Sequence, residues 1–99
     1  RFRVRLTLEA QADQERLQEW LIARDIAAAE RALDAIERAF ELLEHSPFSC
    51  RKAWPGDRPW LREFIIGFGD AGYVALFEIA DARTVPIVAI RHQREDDYL

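Results

Sequence analysis

The chain has 99 residues, a formal net charge of −4, 49% hydrophobic residues and 11% aromatic ones. That is enough for one domain with its own core, spanning residues 1–99. It excludes an intrinsically disordered chain, and the acidity argues against a general nucleic-acid binder, which needs a basic field to hold phosphates.

Arg1 to Leu6 alternates strictly, with Phe2, Val4 and Leu6 on one face and Arg1, Arg3 and Arg5 on the other. A period of two predicts a half-buried strand. Thr7 can then cap a helix beginning near Leu8, with Glu9 in its first turn. Residues 8–45 are rich in Ala, Leu, Glu and Arg and read as helix throughout. Ile26, Ala29, Leu33, Ile36, Phe40 and Leu43 follow steps of three and four, which predicts a core-facing stripe. Upstream, Leu17 and Leu21 set a different phase. The slip falls near Arg24–Asp25, and Asp25 is a good N-cap, so an antiparallel helical hairpin of about 8–23 and 26–45 is expected. A coiled-coil dimer is disfavoured because the stripe lasts under three heptads.

Pro47, Pro55, Gly56 and Pro59 predict a loop from Ser46 to Trp60. It mixes Arg51, Lys52 and Arg58 with Trp54 and Trp60, a composition that can stack on bases, grip a partner or simply pin the loop to the core. Three strands follow: Leu61–Phe68, a turn at Gly69-Asp70-Ala71-Gly72, Tyr73–Ala80, a turn at Asp81-Ala82-Arg83, and Thr84–His92. Short turns between such strands make an antiparallel meander. Pro86 should sit near a strand start or an unpaired edge. The expected architecture is α+β and two-layered, β-α-α-β-β-β, with the hairpin on one face of a mainly antiparallel four-stranded sheet.

Tyr73, Ala75, Phe77 and Ile79 share one face of the middle strand, with Val74 and Leu76 on the other. Val85, Ile87 and Ala89 similarly oppose Val88 and Ile90. One hairpin covers one face of a sheet, so the reverse face must be closed by the loop, by the tail or by another chain. Exposed apolar sheet surface usually marks a binding site.

Chemistry-bearing residues are sparse. Cys50 is the single cysteine, which gives no disulfide framework and fits a reducing compartment as a free loop thiol. His45 suits the C-terminal end of a helix. Two distant histidines and one cysteine form no metal-ligand set, and no cofactor is expected. No Gly-rich phosphate loop or nucleophilic triad is present. Residues 9–44 hold ten acids and four arginines, a balance of −6, against +2 for the remainder, and thirteen of fourteen bases are arginine. Arginine favours planar bidentate contacts with carboxylates or phosphates. No apolar run approaches the roughly 18 residues of a membrane span, and no signal-peptide pattern precedes Arg1, so a cytoplasmic location is expected.

The C-terminal run Ala89-Ile90-Arg91-His92-Gln93-Arg94-Glu95-Asp96-Asp97-Tyr98 is the densest polar cluster. Its Ile-Arg-His-Gln-Arg-Glu, with Tyr a few residues on, resembles the end of the ParE toxins, a branch of the RelE/ParE superfamily. The similarity extends to Phe68-Gly69-Asp70-Ala71-Gly72-Tyr73-Val74-Ala75-Leu76-Phe77 and to Leu61-Arg62-Glu63. Leu6-Thr7-Leu8-Glu9-Ala10 also fits, although members often have Pro where Leu8 stands. Element order agrees over essentially the whole chain. The resemblance implies a two-layer fold with the first strand beside the last. It also implies a cognate ParD-like antitoxin that wraps the toxin in a hetero-oligomer, a role in plasmid stabilisation, and DNA gyrase as a target poisoned without chemistry by the toxin itself. Arg91, His92, Gln93, Arg94 and Tyr98 are then the target-binding candidates. Val74, Leu76 and Val88 are candidate antitoxin anchors, with Arg62 and Arg91 available to pair with antitoxin acids.

The RelE branch instead cleaves mRNA on the ribosome. That alternative would use His92 as acid or base, Arg91, Arg94 or Arg62 on the phosphate and Tyr98 to stack or donate a proton. His92 then stands where many RelE-like nucleases carry an arginine. Three features argue against cleavage: a single lysine, the net charge of −4, and Glu95, Asp96 and Asp97 beside the supposed site. One like-charge contact at 4 Å near a protein surface costs on the order of 4 kcal/mol. No sequence-specific nucleic-acid binding is expected.

Overall fold

Thr7 and Asp25 decide where the helices begin and end. Thr7 Oγ1 accepts a hydrogen bond from the Ala10 amide at 3.2 Å and donates one to the Ile87 carbonyl at 2.9 Å. It thereby caps α1 (Leu8–Arg24) and ties its start to the last strand. Asp25 has an extended backbone and donates its amide to the Leu21 carbonyl at 2.7 Å. Its carboxylate accepts the Ala28 amide at 3.1 Å. One residue closes α1 and opens α2 (Ile26–His45), where the phase slip places the break.

The structure, a computed structural model, describes residues 1–54, 58–68 and 71–92. Around the helices lie β1 (Arg3–Leu6), a 3-10 turn (Pro47–Ser49), β2 (Arg51–Trp54), β3 (Arg58–Phe68), β4 (Ala71–Glu78) and β5 (Thr84–His92). One sheet takes the strands in the order β1-β5-β4-β3-β2. β1 runs parallel to β5, and the other pairings are antiparallel. The α+β two-layer architecture, the hairpin and the meander are as expected, and the first strand lies beside the last.

Among the described residues five strands stand where four were expected. Part of the expected loop from Ser46 to Trp60 is sheet: β2 pairs with a β3 that begins at Arg58 rather than Leu61. Pro59 is tolerated there because the first β3–β4 partners are Leu61 and Glu78, so no β4 rung needs its missing amide. Pro86 follows the same logic. It is the third residue of β5, beyond the last β4 partner pair Phe77–Ile87, and stands opposite Arg5 of β1. Of the turn expected at residues 69–72, Gly69 and Asp70 lie outside the described residues, while Ala71 and Gly72 already pair with Phe68 and Gly67.

The α2 stripe is not the one its largest side chains suggest. Ala29, Ala32, Ala35, Ile36, Ala39 and Leu43 are buried, whereas Ile26 is 65% and Leu33 39% exposed. The sheet face beneath presents Ile66, Tyr73, Phe77, Ile87 and Ile90. Alanines opposite such bulk let helix and sheet approach closely without voids.

A bulge changes the faces of β5. Leu76 pairs with Ala89 but Phe77 with Ile87, which leaves Val88 without an opposite residue. Ile87 and Ile90 therefore both join the helix-side core, and Ala89 turns to the reverse face, opposite to simple alternation. That reverse face is also less bare than the two-sided apolar pattern implies. Leu61, Leu76 and Ala89 form a second buried cluster, with Ala53, Val74 and Val88 half-buried against it.

Candidate functional site

The end of β5 carries the residues singled out by the C-terminal run. β1 reaches only as far as Leu6, opposite Ile87, so among the described residues no strand flanks the rest of β5 on that side. The flank of α1 takes its place. Asp13 Oδ2 accepts the Ile90 amide at 3.0 Å, which satisfies an edge donor that β1 cannot reach.

His92 stands opposite Tyr73, with ring centroids 6.1 Å apart and nearly perpendicular at 67°. The Trp20 ring of α1 lies 6.4 Å from the His92 ring. Arg24 stacks its guanidinium 3.9 Å from the Trp20 ring and donates from Nη1 to the Trp20 carbonyl at 3.0 Å. His92 thus belongs to an aromatic group on the helix side. Arg91, one residue earlier, stands opposite Val74 on the reverse face, because neighbouring strand residues project to opposite sides.

Val74, Leu76 and Val88 do come together on that reverse face, but Leu76 is 8% exposed and the two valines are half-buried. Arg62 is not with them. It stands opposite Phe77 on the helix side. From Nη1 it donates to the Cys50 carbonyl at 2.6 Å and the Phe48 carbonyl at 3.3 Å, 5.6 Å from the Phe48 ring. Gln93, Arg94 and Tyr98 lie outside the described residues.

Two groups near the sheet's other end have shifted titration. Burial pushes the Cys50 thiol above its ordinary value, partly opposed by the nearby Arg62 charge. The Asp81 carboxylate is held below the usual range, first by the Arg83 amide and further by the Thr84 amide, at 2.7 and 2.9 Å. Among the described residues no group of three His, Cys, Asp or Glu side chains could hold a metal ion, and no helix is long and apolar enough to cross a membrane.

Residues 4–97 match the family described as the ParE toxin of the type II toxin–antitoxin system parDE. The chain belongs to the ParE toxin family. Among curated proteins it is 37% identical over 93 residues to Toxin RelE3 of Caulobacter vibrioides, covering 93% of this chain and 95% of that protein. Its fold is shared with a chain of the chromosomal ParDE system from P. aeruginosa at a TM-score of 0.69 and 16% identity, over 92% and 95% of the two chains.

For this ParE-family chain, residue patterns alone missed four neighbours of the singled-out residues. Trp20 and Arg24 lie off the α1 core phase, although an exposed tryptophan on a polar helix flank is itself a signal of a contact surface. Asp13 was invisible because its partner, the Ile90 amide, lies 77 residues away. Phe48 sits in a 3-10 turn whose packing on Arg62 is long-range.

Proposed function

We propose that this chain acts as a toxin by binding and inhibiting DNA gyrase, and that a cognate ParD-like antitoxin neutralises it. The observation that carries the choice of target is the dispersal of the candidate nuclease residues. Cleavage through the 2′-hydroxyl needs a base, a cation and an acid converging on one phosphate. Arg91 and His92 leave β5 on opposite faces. Arg62 stands opposite Phe77, four positions along β4 from Tyr73, the partner of His92, roughly 14 Å at strand spacing. Its guanidinium is held by backbone carbonyls of the 46–50 segment. Such a layout favours a contact surface over a catalytic constellation.

In this reading Arg91, His92, Gln93, Arg94 and Tyr98 contact the target. Half-exposed Trp20 and its stacked Arg24 extend that surface, since Trp and Arg are the side chains that anchor protein interfaces. The antitoxin covers the reverse face around Val74 and Val88, with Leu76 beneath them and Arg91 opposite Val74 to meet an antitoxin acid. Hetero-oligomer formation follows from that contact, and the setting is cytoplasmic, where gyrase resides.

Adding the purified chain to a gyrase supercoiling assay and, separately, to a translating ribosome system tests the proposal. Loss of supercoiling with accumulation of cleaved DNA is expected, with translation intact. Codon-position mRNA cuts that disappear in His92→Ala would overturn it in favour of RelE-like cleavage.

A further inference from the structure

Helix α1 and strand β5 are tied at successive places, met in the same order along both. Thr7 Oγ1 donates to the Ile87 carbonyl at 2.9 Å. Asp13 Oδ2 accepts the Ile90 amide at 3.0 Å. Trp20 brings its ring to 6.4 Å from that of His92. From Thr7 to Trp20 the helix rises roughly 20 Å, and from Ile87 to His92 the strand covers roughly 17 Å, so the helix lies along the strand. Asp13 also shares a row with the aromatic group. Trp20 follows it by seven residues and Arg24 follows Trp20 by four, spacings that put all of them on one flank of α1. The two carboxylate oxygens of Asp13 are divided, Oδ1 facing Arg16 at 3.8 Å and Oδ2 facing the strand.

Core packing alone does not settle where the end of β5 lies. The Ile90 side chain is fully buried, but the bulge at Val88 breaks simple alternation just before it. The last rung with β1, at Ile87, has also been passed. The Ile90 amide points to that edge, and Asp13 receives it. His92, two residues further on, takes the same face as Ile90, and both it and Arg91 are half-buried. A hold on the backbone at Ile90 therefore sets the side and reach of the strand end.

We infer that Asp13 is a positioning residue of the target-contact surface: through the Ile90 amide it keeps the end of β5 against α1, so that His92, Trp20 and Arg24 form one face. The use of that face on gyrase rests on the function proposed above, whereas the positioning does not. A carboxylate with a purely structural role changes stability alone. A positioning one changes how often the surface is assembled, and apparent affinity falls with the fraction of chains in the competent arrangement.

The test compares the full parent chain with Asp13→Ala and Asp13→Asn, and with Leu33→Ala on α2 as a control for general loss of stability. All are studied at a temperature where circular dichroism shows them folded. The readouts are the nuclear Overhauser contact between Trp20 indole and His92 imidazole protons, and the concentration that half-inhibits gyrase supercoiling. The parent, Asp13→Asn and Leu33→Ala should show the contact, and Asp13→Ala should lose it. Half-inhibition should need about tenfold more Asp13→Ala, the size of one hydrogen bond to a charged group, and no more than about threefold more of the other two variants. Should Asp13→Ala not fold, Asp13→Glu, which keeps the charge and moves the acceptor by one methylene, takes its place with the same expected losses. A contact missing from the parent, or kept in Asp13→Ala, would overturn the inference. So would parent-like potency of Asp13→Ala, or an equal loss of potency in Leu33→Ala. If the parent itself leaves supercoiling intact, the gyrase reading fails and the Trp20–His92 contact alone decides the positioning.

Discussion

Helix α2 offers a test in which side-chain size and structure give opposite answers. Leu33 is the larger and more apolar residue, yet it is 39% exposed, while its neighbour Ala32 is fully buried against the sheet. Truncation in Leu33→Ala removes a side chain only partly withdrawn from water. Full burial of a leucine is worth about 1.5–3 kcal/mol, and incomplete burial with no closed cavity left behind brings the expected loss to about 1 kcal/mol. Enlargement in Ala32→Leu forces three extra carbons between α2 and the bulky sheet face, where overpacking costs about 1–3 kcal/mol. Ala32→Leu should therefore be the more damaging change by roughly 1 kcal/mol, although it adds hydrophobic area. Urea unfolding followed by circular dichroism measures both. With a slope near 1–1.5 kcal/mol/M for a domain of this size, the two midpoints should differ by about 1 M. A Leu33→Ala midpoint below that of Ala32→Leu, at equal slopes, would refute the alanine stripe as the packed face.

Asp13→Ala removes the acceptor of the Ile90 amide and should cost about 1–3 kcal/mol by the same unfolding measurement, because the donor is left without its partner. Asp13→Asn, which keeps an acceptor oxygen, should recover part of that loss. Asp81→Asn tests acid sensitivity. The folded carboxylate titrates below its unfolded value, so its stabilisation is present above the unfolded value and disappears as pH falls through the folded one. Thermal melts from pH 5 down to pH 2 should therefore show a smaller drop in Tm for Asp81→Asn than for the parent chain. Cys50, raised by burial, should alkylate with iodoacetamide at pH 8 more slowly in the folded chain than in urea, since the thiolate is the nucleophile. Equal rates would refute its burial. On the reverse face, Val88→Asp should abolish co-purification with the antitoxin while the chain stays folded. Leu76→Asp makes a poor probe, because a charge at that buried position destabilises the fold itself.

Much of this fold was legible where a local signal and the tertiary demand coincide. Asp25 breaks the helical run at the phase slip, the alternation from Arg1 to Leu6 holds β1 (Arg3–Leu6), and the turn at residues 81–83 leads into β5 at Thr84 as expected, although β4 runs Ala71–Glu78 rather than Tyr73–Ala80. Legibility failed where tertiary context overrode local preference. β2 and the start of β3 hide among Pro55, Gly56 and Pro59, because the pairings that make them strands, from Arg51 with Glu63 to Trp54 with Arg58, reach across a stretch that reads as breakers. The α2 stripe was misread because alanine carries a weak hydrophobic signal although it is the residue that lets two layers approach. Alternation failed in β5 because a bulge at Val88 inserts one residue, and such an insertion has no reliable mark in the residues themselves. The candidate site shows the same division. The tail from Ile90 to Glu95 with the Phe68-Gly69-Asp70 turn pointed to a family and a strand end, but the side that Ile90, Arg91 and His92 would face depended on the bulge.

That bulge also bears on how a neutralising partner could act. The two-sided apolar pattern of β4 and β5 suggests a chain whose core is completed only by its partner. Instead the reverse face buries Leu61, Leu76 and Ala89 within this chain, and turning Ala89 rather than Ile90 outward removes a large side chain from the surface that would otherwise need cover. What remains open there among the described residues is modest: Ile65 is 40% exposed, and Val74 and Val88 are half-buried. An antitoxin that docks on this face therefore adds to a finished core and does not complete one. The consequence is measurable: the chain should unfold cooperatively without its antitoxin, and the antitoxin should raise Tm only by mass action, in step with its concentration. A chain that shows no cooperative transition alone, and gains one when the antitoxin is added, would place the partner inside the folding unit and refute this reading of the reverse face.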